Sequence, residues 1–230
     1  MKKKIVVSKN GPYLVSGNVS LGKEISRVGK SGEPEEWVKG EQYPQQEEYA
    51  LCRCGQSKHK PFCDGTHATV KFDGTETASR KEYLEQAGKI EGPGVDLTDA
   101  ECFCSGARFC HPKGGTWKLT QHSDDPEAKK EAIRQAGHCP SGRLVAWDKK
   151  TGKPIEPGLN PSISLAEDPQ AQASGPIWVK GGVPVEKEDG TVYETRNRMT
   201  LCRCGKSRNK PFCDASHIKA KFNDGDASLK

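Results

Sequence analysis

One 17-residue segment occurs twice in the chain, and this internal repeat constrains the fold more than any other feature. Leu51–His67 and Leu201–His217 share twelve of 17 residues, including three cysteines, a proline and the final histidine. The similarity extends upstream, where Gly11-Pro12 matches Gly175-Pro176. The repeat predicts two copies of one small unit that flank an unrelated middle region.

The composition favours small, stapled units over one large core. Only 33% of the 230 residues are hydrophobic, and 25 glycines and 15 prolines interrupt the chain. Small loop-rich units usually need disulfides or metal to complete their stability, and ten cysteines are available for either. The sequence shows no secretory signal and no membrane-length apolar run, so we expect a cytoplasmic protein whose clustered cysteines bind metal.

Each copy carries four potential metal ligands with the spacing Cys-x-Cys-x8-Cys-x3-His. A Cys-x-Cys pair brings two thiolates to one iron, and Cys-x3-His places two donors at positions i and i+4 of a helix, on one face. The spacing favours a [2Fe–2S] cluster over zinc, although a structural zinc site stays open because zinc also accepts three cysteines and one histidine. The predicted ligands are Cys52, Cys54, Cys63 and His67 in the first copy and Cys202, Cys204, Cys213 and His217 in the second.

These segments resemble the CDGSH iron–sulfur (NEET-like) family, whose signature is Cys-x-Cys-x2-(Ser/Thr)-x3-Pro-x-Cys-Asp-Gly-(Ser/Ala/Thr)-His. The first copy contains every element of the signature, and the second departs only at Ala215. A helical turn tolerates alanine, so we expect both clusters to form. The resemblance implies an acid-labile, redox-active [2Fe–2S] cluster in each copy, on a fold where two such segments pair under a shared β-cap.

Most members of that family pair by homodimerisation, whereas this chain has both copies. The fold class we expect is therefore a small, loop-rich α+β structure, with the two CDGSH segments paired about a pseudo-twofold axis within a monomer. Residues 1–80 and 175–230 are the predicted CDGSH segments. Residues 29–46 of the first copy have no counterpart in the second and are interpreted as a surface loop.

The middle region, residues 81–157, has its own cysteine pattern. Cys104, Cys110 and the Cys139-Pro140 pair resemble a divergent single-cluster ferredoxin, with Ala107 at the central loop position where a further cysteine would stand. The resemblance implies a [3Fe–4S] cluster on these three cysteines. Cys102 is a possible fourth ligand, as is His111, and either would make the cluster [4Fe–4S].

Local patterns in the middle region predict two regular elements and a linker. Asp125-Pro126 followed by an amphipathic run to Gly137 predicts a capped helix, and residues 143–147 predict a strand. Residues 158–174, rich in Pro, Ala, Gln and Ser, are interpreted as a linker.

Three functions are compatible with these features. The first is electron transfer by a protein with up to three clusters, acting with a redox partner protein. The second is transfer of clusters or iron to an apo-acceptor protein, or sensing of pH or redox state, with the histidine ligand as the point of release. The third is a zinc-stapled interaction module. We find no catalytic site, and the scattered charge, +5 in total, argues against nucleic acid as a partner.

Overall fold

The computed structural model describes residues 2–229 and shows a mixed α+β, sheet-rich fold. The first part contains β1 (Lys4–Val7), β2 (Tyr13–Ser16), β3 (Ser20–Val28), β4 (Pro34–Gln42), β5 (Glu48–Leu51) and α1 (Thr66–Thr69). The middle part contains α2 (Tyr83–Gln86), β6 (Gly88–Ile90), β7 (Val95–Asp99), α3 (Thr116–Gln121), α4 (Pro126–His138), β8 (Leu144–Asp148) and β9 (Pro154–Ile155). The last part contains β10 (Ser162–Asp168), β11 (Ala173–Lys180), β12 (Val185–Lys187), β13 (Arg198–Leu201) and α5 (Ser216–Lys219).

The two repeat copies exchange strands. One sheet has the order β12-β1-β2-β5, and another has the order β13-β11-β10-β3-β4. In the first, β12 of the second copy runs parallel to β1, with Ile5 opposite Val185. In the second, β3 of the first copy runs parallel to β10, with Leu21 opposite Ile163. Strands β3, β10, β11 and β13 of the second sheet correspond in order to β12, β1, β2 and β5 of the first. The edge strand β4 alone has no counterpart in the first sheet.

A single hydrophobic core lies beneath these two sheets. Alternation along β1 buries Ile5 and Val7, and alternation along β2 buries Tyr13 and Val15. The second copy contributes residues of the same kind to the same cluster, among them Ile163, Leu165, Ile177, Val179, Val185 and Leu201. Burying each such side chain contributes about 1.5–3 kcal/mol. Because the cluster draws on both copies, neither copy has a separate core.

The middle region forms its own layer. Its antiparallel sheet has the order β6-β7-β8-β9, and α3 and α4 pack on it through a second apolar cluster that includes Val95, Leu97, Ala132 and Leu144. The predicted helix is confirmed, because the Asp125 carboxylate accepts a hydrogen bond from the Glu127 backbone N–H at 2.9 Å and Pro126 occupies the first turn. The predicted strand is also present, as β8.

Two segments differ from the sequence interpretation. The interpretation of residues 158–174 as a linker is wrong, because they contain β10, a buried strand hydrogen-bonded to β11 on one side and β3 on the other. Its small residues suit a crowded central strand, and Ser164 is buried there. Half of the predicted surface loop at residues 29–46 is β4, which extends a sheet as the partner of β3. In the part of the chain that the structure describes, none of the helices has the length and apolar character needed to cross a membrane.

Candidate iron–sulfur centres

The first site lies where β5 ends. Backbone hydrogen bonds fold its loop back on itself, since Cys52 donates to the Pro61 carbonyl at 2.8 Å and Cys63 donates to the Ala50 carbonyl at 2.9 Å. The Sγ atoms of Cys52 and Cys54 are 3.8 Å apart. Cys63 Sγ lies 3.3 Å from Nδ1 of His67. The loop thus presents two pairs of donors.

The second site repeats this arrangement after β13. The Sγ atoms of Cys202 and Cys204 are 3.7 Å apart, and Cys213 Sγ lies 3.4 Å from Nδ1 of His217. Cys213 donates its backbone N–H to the Thr200 carbonyl at 2.9 Å. The two copies therefore share the distances between their potential metal-binding atoms as well as their sequence.

The donor pairs have the spacing that a two-iron cluster needs. Two donors bound tetrahedrally to one metal at about 2.0–2.3 Å lie about 3.3–3.8 Å from each other, and both kinds of pair have this separation. Within residues 2–229, no three Cys, His, Asp or Glu side chains converge closely enough to hold a single metal ion. Two separate pairs fit two irons, whereas a structural zinc ion needs four converging donors.

The prediction that each Cys-x3-His pair lies on one helix is wrong, because a residue in the left-handed backbone conformation stands between the cysteine and the histidine. Helix α1 begins at Thr66, so Cys63 precedes it, and Gly65 turns the chain with φ 85°. Ala215 adopts the same conformation in the second copy, with φ 65°. Alanine is therefore strained at this position, since a Cβ atom disfavours the left-handed region.

The Ala215→Gly variant is expected to be more stable than the natural protein by about 1 kcal/mol, because glycine adopts the left-handed conformation without the steric cost. Gly65→Ala in the first copy should destabilise by a similar amount, although an added methyl group there meets no atom within 4 Å. Chemical denaturation of both variants under anaerobic conditions measures the changes. Equal stability of all three proteins would contradict the role assigned to this conformation.

The aspartate of the signature stabilises the turn between the ligands. The Asp64 carboxylate accepts hydrogen bonds from the backbone N–H groups of Lys58 at 2.8 Å and Thr66 at 3.0 Å. Hydrogen bonds from Thr66 and Lys58 hold the pKa of Asp64 well below its usual range. The charged carboxylate thereby fixes the segment between Cys63 and His67 without binding metal itself.

The two matching arginines inside the loops are buried. Arg53 donates to the carbonyls of Ser8 and Gly74 and packs over the rings of Tyr13 and Phe72. Arg203 likewise donates to backbone carbonyls, those of Gly175 at 2.7 Å and Ala166 at 3.0 Å. In addition it forms ion pairs with Glu167 and Asp224, whose side chains are also buried. The same sequence position therefore binds backbone carbonyls in both copies, and within residues 2–229 it has carboxylate partners in the second copy alone.

The two sites differ in their exposure to solvent. Cys63 and His67 are partly exposed, whereas Cys213 and His217 are buried. Burial, together with the charge of Arg203, lowers the pKa of His217 to about 4, which keeps its imidazole neutral. The loop around residue 106 of the middle region covers the second site, since a Cβ atom at Gly106 would lie 2.6 Å from Ile218 Cδ1.

Three cysteines of the middle region face one another. Cys104, Cys110 and Cys139 line one cavity, and Ala107 lines it as well. Burial, followed by the nearby Cys139 and Cys104, raises the pKa of Cys110 to about 12, because a thiolate there is poorly solvated and is repelled by its neighbours. Three thiols that share a cavity without converging on one ion suit a cluster in which each thiolate binds its own iron.

The two possible fourth ligands lie elsewhere. Cys102 is exposed, and its Sγ lies 3.7 Å from Oε1 of Gln86. The imidazole of His111 is half exposed, with Nδ1 4.0 Å from a carboxylate oxygen of Glu33. Neither residue lines the cavity.

Residues that the sequence did not single out surround the middle cavity. Arg143 lines it and is held by Asp99 at 2.6 Å. Trp37, from β4, stacks on Phe109 of the cysteine loop with ring centroids 4.7 Å apart. No spacing signal marks these residues, because their partners are distant in sequence.

Comparison with known families agrees with this arrangement. The model of the iron-binding zinc finger of CDGSH type matches residues 10–68 and 174–218. The model of the divergent 4Fe-4S mono-cluster matches residues 90–149, between them. No curated protein matches the chain. The chain therefore carries two segments that match the CDGSH type and, between them, a segment that matches the divergent 4Fe-4S mono-cluster, and this combination supports an iron–sulfur protein.

Proposed function

We propose that the protein is an electron carrier with three clusters in series. Each CDGSH site holds a [2Fe–2S] cluster on three cysteines and one histidine, and Cys104, Cys110 and Cys139 hold a [3Fe–4S] cluster. When held by these residues, each such cluster would take up and release one electron. The observation that carries the proposal is direct packing between the three ligand loops.

The two CDGSH loops touch each other through matching glycines. A Cβ atom at Gly55 would lie 2.6 Å from the Cys204 carbonyl oxygen, and one at Gly205 would lie 2.5 Å from the Cys54 carbonyl oxygen. The Tyr13 hydroxyl donates across the interface to the Cys202 carbonyl at 2.9 Å. Together with the exchanged strands, these reciprocal contacts support a pseudo-twofold pair within one chain, and hence a monomer.

The middle loop packs against the second CDGSH site. A Cβ atom at Gly106 would lie 3.0 Å from the Cβ atom of Ala215, and Ala215 stands between Cys213 and His217 in the sequence. The Arg108 guanidinium fastens the loop to Asp168 at 2.8 Å. Asn209, in the second CDGSH loop, donates to the Cys102 carbonyl at 2.9 Å. These contacts support the order middle site, second site, first site.

The residues that line the middle cavity favour three protein ligands for the middle cluster, because three cysteines are among them. Ala107 has no donor atom, and Cys102 faces Gln86 outside the cavity. We therefore assign [3Fe–4S] in preference to [4Fe–4S].

The partly exposed first site is where we place contact with a redox partner protein. The same exposure would serve release of a whole cluster to an apo-acceptor, the second function compatible with the sequence. Loss of iron and sulfide from the first site alone, in the presence of an apo-ferredoxin, would favour that function over electron transfer.

Gly106→Leu is expected to slow electron equilibration between the middle and second clusters several-fold, because the added side chain forces the two loops apart. Rapid-freeze paramagnetic resonance after flash reduction follows both clusters. Gly114→Leu is the matched control, because it also places leucine at a positive φ: 89° at Gly114 and 73° at Gly106. The nearest atom to an added Cβ at Gly114 belongs to the flexible side chain of Lys118 and not to a ligand loop. Equal equilibration rates in the two variants would contradict the proposed path.

A further inference from the structure

Arg196 reaches from the second CDGSH segment to the loop that carries Cys139. Its Nη1 donates to the carbonyls of Ser141 at 3.3 Å and Gly142 at 3.4 Å. Its guanidinium lies 4.2 Å from the centre of the Phe103 ring and 5.5 Å from that of Tyr83. The side chain thus lies against aromatic rings and the backbone of the middle region.

The positive charge of Arg196 has no carboxylate partner among the described residues. Its Nη2 is buried without a hydrogen-bond acceptor, and no carboxylate oxygen lies within 4.0 Å of the guanidinium. The nearby Glu194 accepts instead from the Tyr83 backbone N–H, at 2.5 Å. Arg196 as a residue is partly exposed, but a cation with one buried nitrogen left without a partner is costly. Its retention therefore calls for a nearby anion that the polypeptide does not supply.

The charges of the two neighbouring arginines are each balanced by a carboxylate. Arg198, two residues further on, also binds the Cys139 loop, donating to the Cys139 carbonyl at 2.8 Å, but Glu156 neutralises it at 2.7 Å. Arg143, which lines the cysteine cavity, is neutralised by Asp99. Of the three guanidinium groups around this loop, Arg196 alone has no carboxylate bound to it.

We propose that Arg196 is the counter-charge of the middle cluster, so that a residue of the second CDGSH segment tunes the potential of the neighbouring centre. This inference rests on the proposed function, because it requires a cluster on Cys104, Cys110 and Cys139. Three thiolates make that centre anionic, and one-electron reduction adds a further negative charge. A fixed cation on the loop that carries Cys139 favours the reduced form of the cluster and raises its midpoint potential.

The test compares Arg196→Gln with Arg196→Lys in the holoprotein, using redox titration with dithionite monitored by paramagnetic resonance. We expect the glutamine variant to show a lower midpoint potential for the middle cluster alone, or loss of that cluster alone. The lysine variant should retain the cluster and recover most of the potential. The two CDGSH clusters, titrated in the same samples, serve as internal references.

The possible failures are distinguishable. A wild-type protein without a third cluster signal would overturn the proposed function itself. With that signal present, an unchanged potential in Arg196→Gln would overturn the counter-charge role. Equal losses in the glutamine and lysine variants would assign Arg196 a purely structural role. A potential that shifts with added phosphate only when Arg196 is intact would mean that an external anion, and not the cluster, is its partner.

Discussion

Replacing Cys139 by serine is expected to remove the middle cluster and to leave both [2Fe–2S] clusters in place. Cys139 is one of only three cysteines that line the middle cavity, so its loss leaves two thiolates for a three-iron centre. Its loop follows α4 and belongs to a layer with its own apolar cluster. Iron and sulfide content together with paramagnetic resonance of the oxidised protein measures the loss.

Cys102→Ser is the matched control, because it removes a thiol two residues from Cys104 that faces Gln86 outside the cavity. All three clusters should persist in this variant, with an unchanged spectrum of the middle one. Loss or conversion of the middle cluster in Cys102→Ser would show that Cys102 is a ligand and that the centre is [4Fe–4S].

Replacing Arg203 by methionine is expected to destabilise the protein by about 3–5 kcal/mol. The substitution leaves Glu167 and Asp224 facing each other without their cation, and their side chains are 0% and 4% exposed. Glu167 is the more affected, because burial already raises its pKa even with Arg203 present. Urea denaturation of the holoprotein under anaerobic conditions measures the change in free energy of unfolding.

The internal repeat supplies the control at the matching position. Arg53→Met removes a guanidinium that binds backbone carbonyls, and within residues 2–229 it has no carboxylate within 4.0 Å. Its loss should cost about 1–3 kcal/mol, the range for carbonyl groups left without a donor. Equal costs for the two variants would contradict the view that uncompensated carboxylates dominate the effect at Arg203.

The closeness of the Cys–Cys and Cys–His side-chain pairs in the two repeated segments was predictable because the spacing within each pair is local. Cys52 and Cys54 meet within one turn, as do Cys63 and His67, and short-range geometry depends little on the rest of the fold. Helix α4 was predictable for the same reason, since its cap and first-turn proline lie in adjacent residues.

Features that depend on distant residues were not predictable from one sequence. The composition of residues 158–174 resembles a linker, and only pairing with β3 and β11 makes β10 a buried central strand. The left-handed conformation of Ala215 is imposed by the turn and not by alanine's own preference. The position of Arg196 on the loop that carries Cys139 follows from its contacts with Ser141 and Gly142, residues 55 and 54 positions away in sequence.

We propose that the chain holds two [2Fe–2S] clusters and one [3Fe–4S] cluster. Iron and sulfide analysis of freshly purified protein, combined with paramagnetic resonance before and after reduction, tests it most directly. We expect about seven iron and eight sulfide ions per chain, with a paramagnetic signal in the oxidised state from the middle cluster alone. Zinc without labile sulfide, or an oxidised state with no signal at all, would contradict it.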